Sequence, residues 1–226
     1  MSDLNVAVAE EEVTTPKAVV MNQIPAADAG VRGESPLHHV ELESLAKQGP
    51  RQGGIRFKEN KLLGHLTLRC NPNNAELMAS AANVLGVELP QTKLTAVEAG
   101  DVSVRWIAPD EWLILVPGEK AFEMETRFRD EMNGHHSLVN SSGGSTVYEL
   151  SGENVVEMLK KCTPVDLHPK EFPVGKVVST VFAKSSAVIR RKGDTEFELV
   201  VRRSFADYIW LWIQDASREF GLVVDA

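Results

Sequence analysis

The residues of this sequence that could do chemistry fall in a few places. Asp110-Glu111 is an adjacent carboxylate pair, and Cys162-Thr163-Pro164-Val165-Asp166-Leu167-His168-Pro169 gathers a thiol, a carboxylate and an imidazole. Gly143-Gly144-Ser145-Thr146 is the nearest approach to a glycine-rich loop, and Arg190-Arg191-Lys192 and Arg202-Arg203 are basic runs. Each has a bland reading that fits better than a catalytic one. Adjacent carboxylates in a tight turn rarely converge on one substrate, so Asp110-Glu111 reads as a solvated hairpin tip. A zinc site at Cys162 would need further ligands and a deprotonated thiol. Cys162 therefore reads as a small core residue, with Asp166 and His168 fixing their loop by local hydrogen bonds. A β-run follows Gly143-Gly144, where a phosphate cradle would need a helix N-terminus, and Val147 breaks the nucleophile-elbow pattern.

Neither G-x-G-x-x-G nor G-x-x-x-x-G-K-[ST] is present. The six histidines, His38, His39, His65, His135, His136 and His168, lack the spacing of a helical metal pair. Arg190-Arg191-Lys192 reads as an exposed strand end. Arg202-Arg203, ahead of a helix, is the better candidate for attracting an anion or a partner's carboxylates. No catalytic, cofactor-binding or metal-binding residue is assigned.

The elements that must carry these residues follow from periodicity. The C-terminal stretch from Val200 reads as a strand end, a basic turn, and a helix capped by Ser204 with Asp207 in its first turn. Phe205, Tyr208, Ile209, Trp212, Ala216 and Phe220 recur at helical spacing as one apolar face, with Gly221 as the stop. Trp210 and Leu211 fall off that face. An off-face tryptophan is either a partner anchor or covered by a second layer of the same protein; on the first reading Trp210, Arg202, Arg203 and the hairpin residue Trp112 form the expected partner surface.

Upstream, Leu62 to Arg69 reads as a mostly buried strand. Asn71-Pro72-Asn73-Asn74 caps a helix through Leu77, Met78, Ala81, Val84 and Leu85 that Gly86 ends. Val102 to Ile107 and Trp112 to Val116 are strands, and Ala121, Met124, Phe128 and Met132 line a helix. The second half repeats the order. Leu138 to Leu150 is strand-like, and Ser151 caps a helix through Val155, Met158, Leu159 and Cys162. Val177 to Phe182, Ala187 to Arg191 and Phe197 to Val201 are strands. The fold class is α+β: two βαββα ferredoxin-like halves with mixed or antiparallel sheets and helices on one face. The expected division is an acidic flexible arm over 1–34, a first half over 35–136 and a second over 137–226 with the C-terminal amphipathic helix.

Bulk properties narrow the function. With 226 residues and a formal charge of −8, the chain can bury a core but lacks the basic face that nucleic acid requires. Its two cysteines, Cys70 and Cys162, are far apart, which suits a reducing compartment. No apolar run nears the roughly 20 residues of a membrane span. The N-terminus is acidic and carries no signal-like apolar run, so the cytoplasm is expected.

Several stretches, in order, carry a resemblance. They are Ser35-Pro36-Leu37-His38-His39, Leu62-Leu63-Gly64-His65-Leu66 and Trp106-Ile107-Ala108-Pro109-Asp110-Glu111-Trp112-Leu113. Asp166-Leu167-His168-Pro169 with Phe172-Pro173-Val174-Gly175, and Arg203-Ser204-Phe205-Ala206-Asp207-Tyr208, complete the set. Together, over residues 35–226, they resemble the gamma-subunit family of bacterial heterotetrameric sarcosine oxidases. The resemblance implies a four-chain complex that oxidatively demethylates sarcosine to glycine. Oxygen is reduced to hydrogen peroxide, and the methyl carbon passes to tetrahydrofolate. It also implies FAD, FMN and NAD in the alpha and beta subunits and zinc in the delta subunit, with none of these in this chain. The gamma subunit is similar to the folate-binding aminomethyltransferase domain, packs principally against alpha and is assigned no catalytic residue. The competing readings are a stand-alone folate or small-anion binding protein, and a gamma-like subunit acting with another N-methyl amino acid oxidoreductase.

Overall fold

Local sequence rules place most of the elements. The computed structural model describes residues 33–226; the expected arm falls, up to residue 32, outside the described residues. α1 spans Leu42–Gln48, β1 Ile55–Asn60 and β2 Leu63–Cys70. α2 (Ala75–Leu85) begins where the Asn74 side chain accepts from the backbone N–H of Glu76 and Leu77, at 3.1 and 3.2 Å. It ends at Gly86 in the left-handed conformation (φ 72°), so both boundary signals act as expected. β3 (Ala96–Ala99), β4 (Val102–Ala108), β5 (Glu111–Pro117), α3 (Ala121–Glu131) and β6 (His136–Asn140) follow. The expected face of α3 (Ala121, Met124 and Phe128, with Met132 just past its end) is buried throughout.

The second run comprises β7 (Ser145–Ser151), α4 (Val155–Lys160), β8 (Val177–Phe182), β9 (Ser185–Gly193) and β10 (Glu196–Arg202). α5 (Ala206–Ala216) and β11 (Leu222–Asp225) complete it. The strands form two sheets, ordered β3-β4-β5-β2-β6 and β11-β1-β7-β10-β9-β8. In the first, β2 and β4 flank β5 and pair antiparallel with it, with α2 as the crossover. This is the split βαβ unit expected of each half. In the second, β7 and β9 flank β10 in the same manner.

The sheets do not divide at one point in the sequence. β6, at the 136/137 boundary, pairs with β2, while β1, from the N-terminal side, enters the second sheet between β7 and β11. β1 takes beside β7 the place that β6 takes beside β2, and β11 adds outside it in parallel. The topology is thus mixed and interlocked.

Helices cover one face of each sheet. Leu66, Leu68, Val104, Trp112, Ile114 and Val116 pack with α2 and α3. Phe57, Tyr148, Leu150, Ile189 and Leu199 pack with α4 and α5. The other faces meet back to back through Leu115, Val147 and Val200, with Leu63, Leu113 and Val188 beside them. Because strand side chains alternate, Leu113 and Leu115 face the opposing sheet while Trp112 and Ile114 face helices. Gly64 sits where a Cβ would lie 2.7 Å from Ala121 Cβ, so only glycine lets β2 pass beneath α3.

Candidate functional site

Two regions bear on function: the layer between the sheets and the exposed surface around α5. On one side of the apolar contact lies a buried ion cluster. Arg105 on β4 is fully buried, and its Nη2 donates to Glu198 Oε2 at 2.8 Å. Arg190 donates to Glu98, to Ser103 Oγ at 3.2 Å and to Glu198 at 3.4 Å. Lys192 reaches Glu149 at 3.1 Å and Glu198 at 3.4 Å. Burial pulls the Arg105 guanidinium down to about 10, helped by repulsion from Arg190 and opposed by Glu198. It therefore keeps its charge at neutral pH. The donor from Arg190 holds the Glu98 carboxyl below its ordinary range.

On the other side is a cavity of about 280 Å³ lined by His65, Thr67, Glu111, Ser141, Ser186 and Arg202 among others. His65 is 2% exposed. Its Nδ1 lies 3.1 Å from the Leu63 carbonyl, and burial holds it down to about 4. Every lining residue lies in a strand or loop, so no helix N-terminus opens into the space. A flavin or dinucleotide phosphate would meet Arg202 here but no helix N-terminus.

The remaining chemistry-capable residues are structural. Arg69 pairs with Asp110 at 2.8 Å and Glu111 at 3.6 Å, tying down the turn. Asp166 Oδ1 accepts from the His168 backbone N–H at 2.9 Å, and His168 Nδ1 accepts from that of Lys170 at 3.3 Å. Burial pushes the Cys162 thiol up to about 11, far from a reactive thiolate. Gly143, at φ 83°, turns the chain into β7. Among the described residues no group of three or more His, Cys, Asp or Glu could hold a metal. No described helix is long and apolar enough to cross a membrane.

Of the four expected partner residues, two are corrected. Trp112 is 0% exposed and donates Nε1–H to the Pro90 carbonyl at 2.8 Å. It is a core residue because its strand parity points it at α2 and α3. Trp210 is 4% exposed, its ring 4.7 Å from that of Phe57. The insertion of β1 brings Phe57 under α5 and draws Trp210 inward. The buried face of α5 is accordingly Ala206, Ile209, Trp210, Ile213 and Ala216. The helix is rotated from the expected face, leaving Trp212 (38%) and, in the turn before it, Phe205 (42%) exposed, beside Leu211 (63%), which lies off the apolar face as expected. Phe205, Tyr208 and Trp212 stack in a ladder with centroids 6.4 and 5.9 Å apart. Arg202 and Arg203 are exposed beside it. Ser204 does not cap α5, although Asp207 lies in its first turn as expected. Ser204 sits in a short 3-10 turn over Arg203–Phe205, and Asp207 Oδ1 meets His39 Nε2 at 2.7 Å.

Arg191 is a further correction. It is buried, donating to the carbonyls of Phe172 at 2.9 Å and Asp194 at 2.7 Å, and Arg190 beside it serves the ion cluster. Those contacts use up the basic run expected to be a strand end in solvent. The buried pair Arg105–Glu198, by contrast, escaped sequence reasoning. A lone arginine in a β-run carries no signal of which sheet faces it. The Ser35–His39 stretch is anchored: Ser35 Oγ donates to buried Glu59 at 2.7 Å, and Leu37 is 1% exposed.

Comparison with known proteins agrees with this architecture. Residues 69–219 match the model of the sarcosine oxidase, gamma subunit family. The sarcosine oxidase subunit gamma of Corynebacterium sp. (strain P-1) is 31% identical over 83% of this chain and 91% of its own length. That of Arthrobacter sp. is 30% identical over the same shares. A chain of the heterotetrameric sarcosine oxidase from Corynebacterium sp. U-96 superposes with a TM-score of 0.73 at 25% identity, covering 83% of this chain and 95% of that one. The glycine cleavage system aminomethyltransferase T from Bartonella henselae shares the fold, with a TM-score of 0.57 at 12% identity, over 86% of this chain and 59% of that one. By motif order, interlocked architecture and family match, the chain belongs to the sarcosine oxidase, gamma subunit family.

Proposed function

We propose that this chain is the non-catalytic gamma subunit of a cytoplasmic heterotetrameric sarcosine oxidase. The complex converts sarcosine, oxygen and tetrahydrofolate into glycine, hydrogen peroxide and 5,10-methylenetetrahydrofolate. FAD, FMN, NAD and zinc reside in the alpha, beta and delta subunits, and this chain packs principally against alpha. The observation that carries this reading is the match along 95% of a chain of a heterotetrameric sarcosine oxidase.

The contact face is the exposed strip of Leu211 and Trp212 on α5 with Phe205 of the preceding turn, and Arg202 and Arg203 beside it. Exposed aromatic and arginine side chains are the usual anchors of such interfaces. A tagged chain co-expressed with the neighbouring subunits should elute natively with three partners, flavin absorbance and sarcosine-dependent peroxide. Leu211→Asp with Trp212→Asp should abolish co-elution while the circular dichroism of the chain stays unchanged. A colourless, partner-free parent chain would overturn the subunit reading, and full assembly of the double variant would overturn the contact face.

A further inference from the structure

The two sheets are built alike up to their fifth strand and then differ. In the second, β1 lies beside β7, and β11 pairs in parallel along the outer edge of β1, from Ile55 with Leu222 to Lys58 with Asp225. In the first, β6 holds the place of β1, and among the described residues nothing holds the place of β11.

Hydrogen-bond parity identifies the groups this leaves open. Antiparallel pairs alternate between bonded and non-bonded positions. The Ser141 N–H donates to the His65 carbonyl at 2.8 Å, one step beyond Asn140, which sits opposite Leu66. The bonded positions of β6 are therefore Val139 and Ser137, opposite Thr67 and Arg69. The other side of β2 agrees: the Cys70 N–H donates to the Asp110 carbonyl at 3.1 Å, so the even-numbered residues of β2 serve β5. His136, Leu138 and Asn140 consequently turn their backbone N–H and C=O groups out of the sheet, and no described residue bonds them.

Three donors and three acceptors along one strand are a template for another chain, and edges are ordinarily blunted against that. At β8, the Val177 N–H donates to the Leu94 carbonyl at 2.8 Å and the Ala183 N–H, just past the strand, to the Cys162 carbonyl at 2.6 Å. β3 is four residues long and carries Glu98. β6 has no lysine, proline or carboxylate, pairs without a bulge, and exposes Val139 (54%). Its far end adjoins the α5 contact face. The turn after β6 reaches Gly144, whose carbonyl accepts from the Arg203 N–H at 3.0 Å, two residues before Phe205.

We propose that an extended segment of a partner subunit adds to β6 as a parallel sixth strand, as β11 adds to β1, with an apolar side chain against Val139. Such attachment rests on the chain being a subunit, and it continues the α5 contact face along the first sheet. A second copy of this chain meeting the same edge about a twofold axis would pair antiparallel. The arrangement of β11 on β1 therefore points to a different chain.

The test is amide hydrogen exchange, resolved to single residues by electron-transfer fragmentation, on the complex that the tagged full-length chain forms with its co-expressed neighbouring subunits. The Ser137 and Val139 amides, bonded to β2, are the reference within the same strand. The His136, Leu138 and Asn140 amides should be as slow as that reference in the complex and fast in the free full-length chain. Ser137→Lys with Val139→Lys places two charges on the edge at exposed positions. That variant should retain the partner about tenfold less well, with circular dichroism unchanged. A flavin-bearing complex in which the three amides stay fast would overturn the added strand and leave the subunit reading standing. Slow exchange in a free chain of doubled mass would assign the edge to a second copy and overturn the proposal. Undiminished partner retention by the double variant would also overturn it. Absence of any complex would overturn the subunit reading, and the added strand with it.

Discussion

Replacing Glu198 with glutamine keeps the shape of the inter-sheet layer and removes one charge. Glu198 accepts from Arg105 at 2.8 Å, with Arg190 and Lys192 each 3.4 Å away. Arg190 retains Glu98 and Lys192 retains Glu149. Arg105, fully buried, loses its carboxylate and already has Nε and Nη1 without partners. An uncompensated buried charge costs about 3–5 kcal/mol, a large part of a total stability of about 5–15 kcal/mol. At this chain length that corresponds to a fall in melting temperature of roughly 10 °C.

The companion variant, Arg105→Met with Glu198→Leu, removes both charges and fills the space. Such replacements range from neutral to about 4 kcal/mol stabilising, so the double variant should recover most of the loss. Urea titration followed by tryptophan fluorescence measures both, since Trp112 and Trp210 report on the two cores. A Glu198→Gln cost under about 1 kcal/mol, or a double variant as weak as the single, would refute a desolvated Arg105 as the controlling term.

Other expectations follow from single residues. His65, with an ordinary value of 6.5, is held near 4 in the fold. Between those values the unfolded chain binds the extra proton, so stability falls as pH drops from 6.5 to 4, by about 3 kcal/mol in all. His65→Gln should remove that slope from pH-dependent urea midpoints; an unchanged slope would assign it elsewhere. Trp210→Ala should cost about 3–5 kcal/mol of stability, since the ring sits on Phe57; a denaturation midpoint equal to the parent's would refute that placement. Gly64→Ala should lose about 1–3 kcal/mol by overpacking against Ala121, and a stabilised variant would show that α3 can yield. Asp225→Asn, which removes the exposed partner of Arg56, should change stability by no more than about 1 kcal/mol.

Local signals were legible wherever they were sufficient. Asn74 and Gly86 bound α2 because both act within one turn of chain, and the face of α3 follows from spacing alone. The α5 face was misjudged because its orientation depends on Phe57, a residue of β1 that lies in another half of the sequence. Trp112 was assigned to the hairpin surface because parity tells that alternate residues differ, without telling which face the helices cover. The buried Arg105 and Arg190 were illegible for the same reason: their carboxylates lie on other strands, Glu198 and Glu98. The exposed strip of α5 became visible only once its buried face was known.

The place of β1 has a consequence for biosynthesis. Ile55 pairs with Leu222, a partner that emerges from the ribosome long after it. Loops of that span close slowly, and their contacts reward the chain only on closure. The first sheet can form during translation from β2 to β6, whereas the second keeps the β1 edge that takes β11 unpaired until β11 has emerged. Phe57 likewise waits for Trp210 on α5. The exposed side chains of α5 therefore take their places only after the first sheet can be complete.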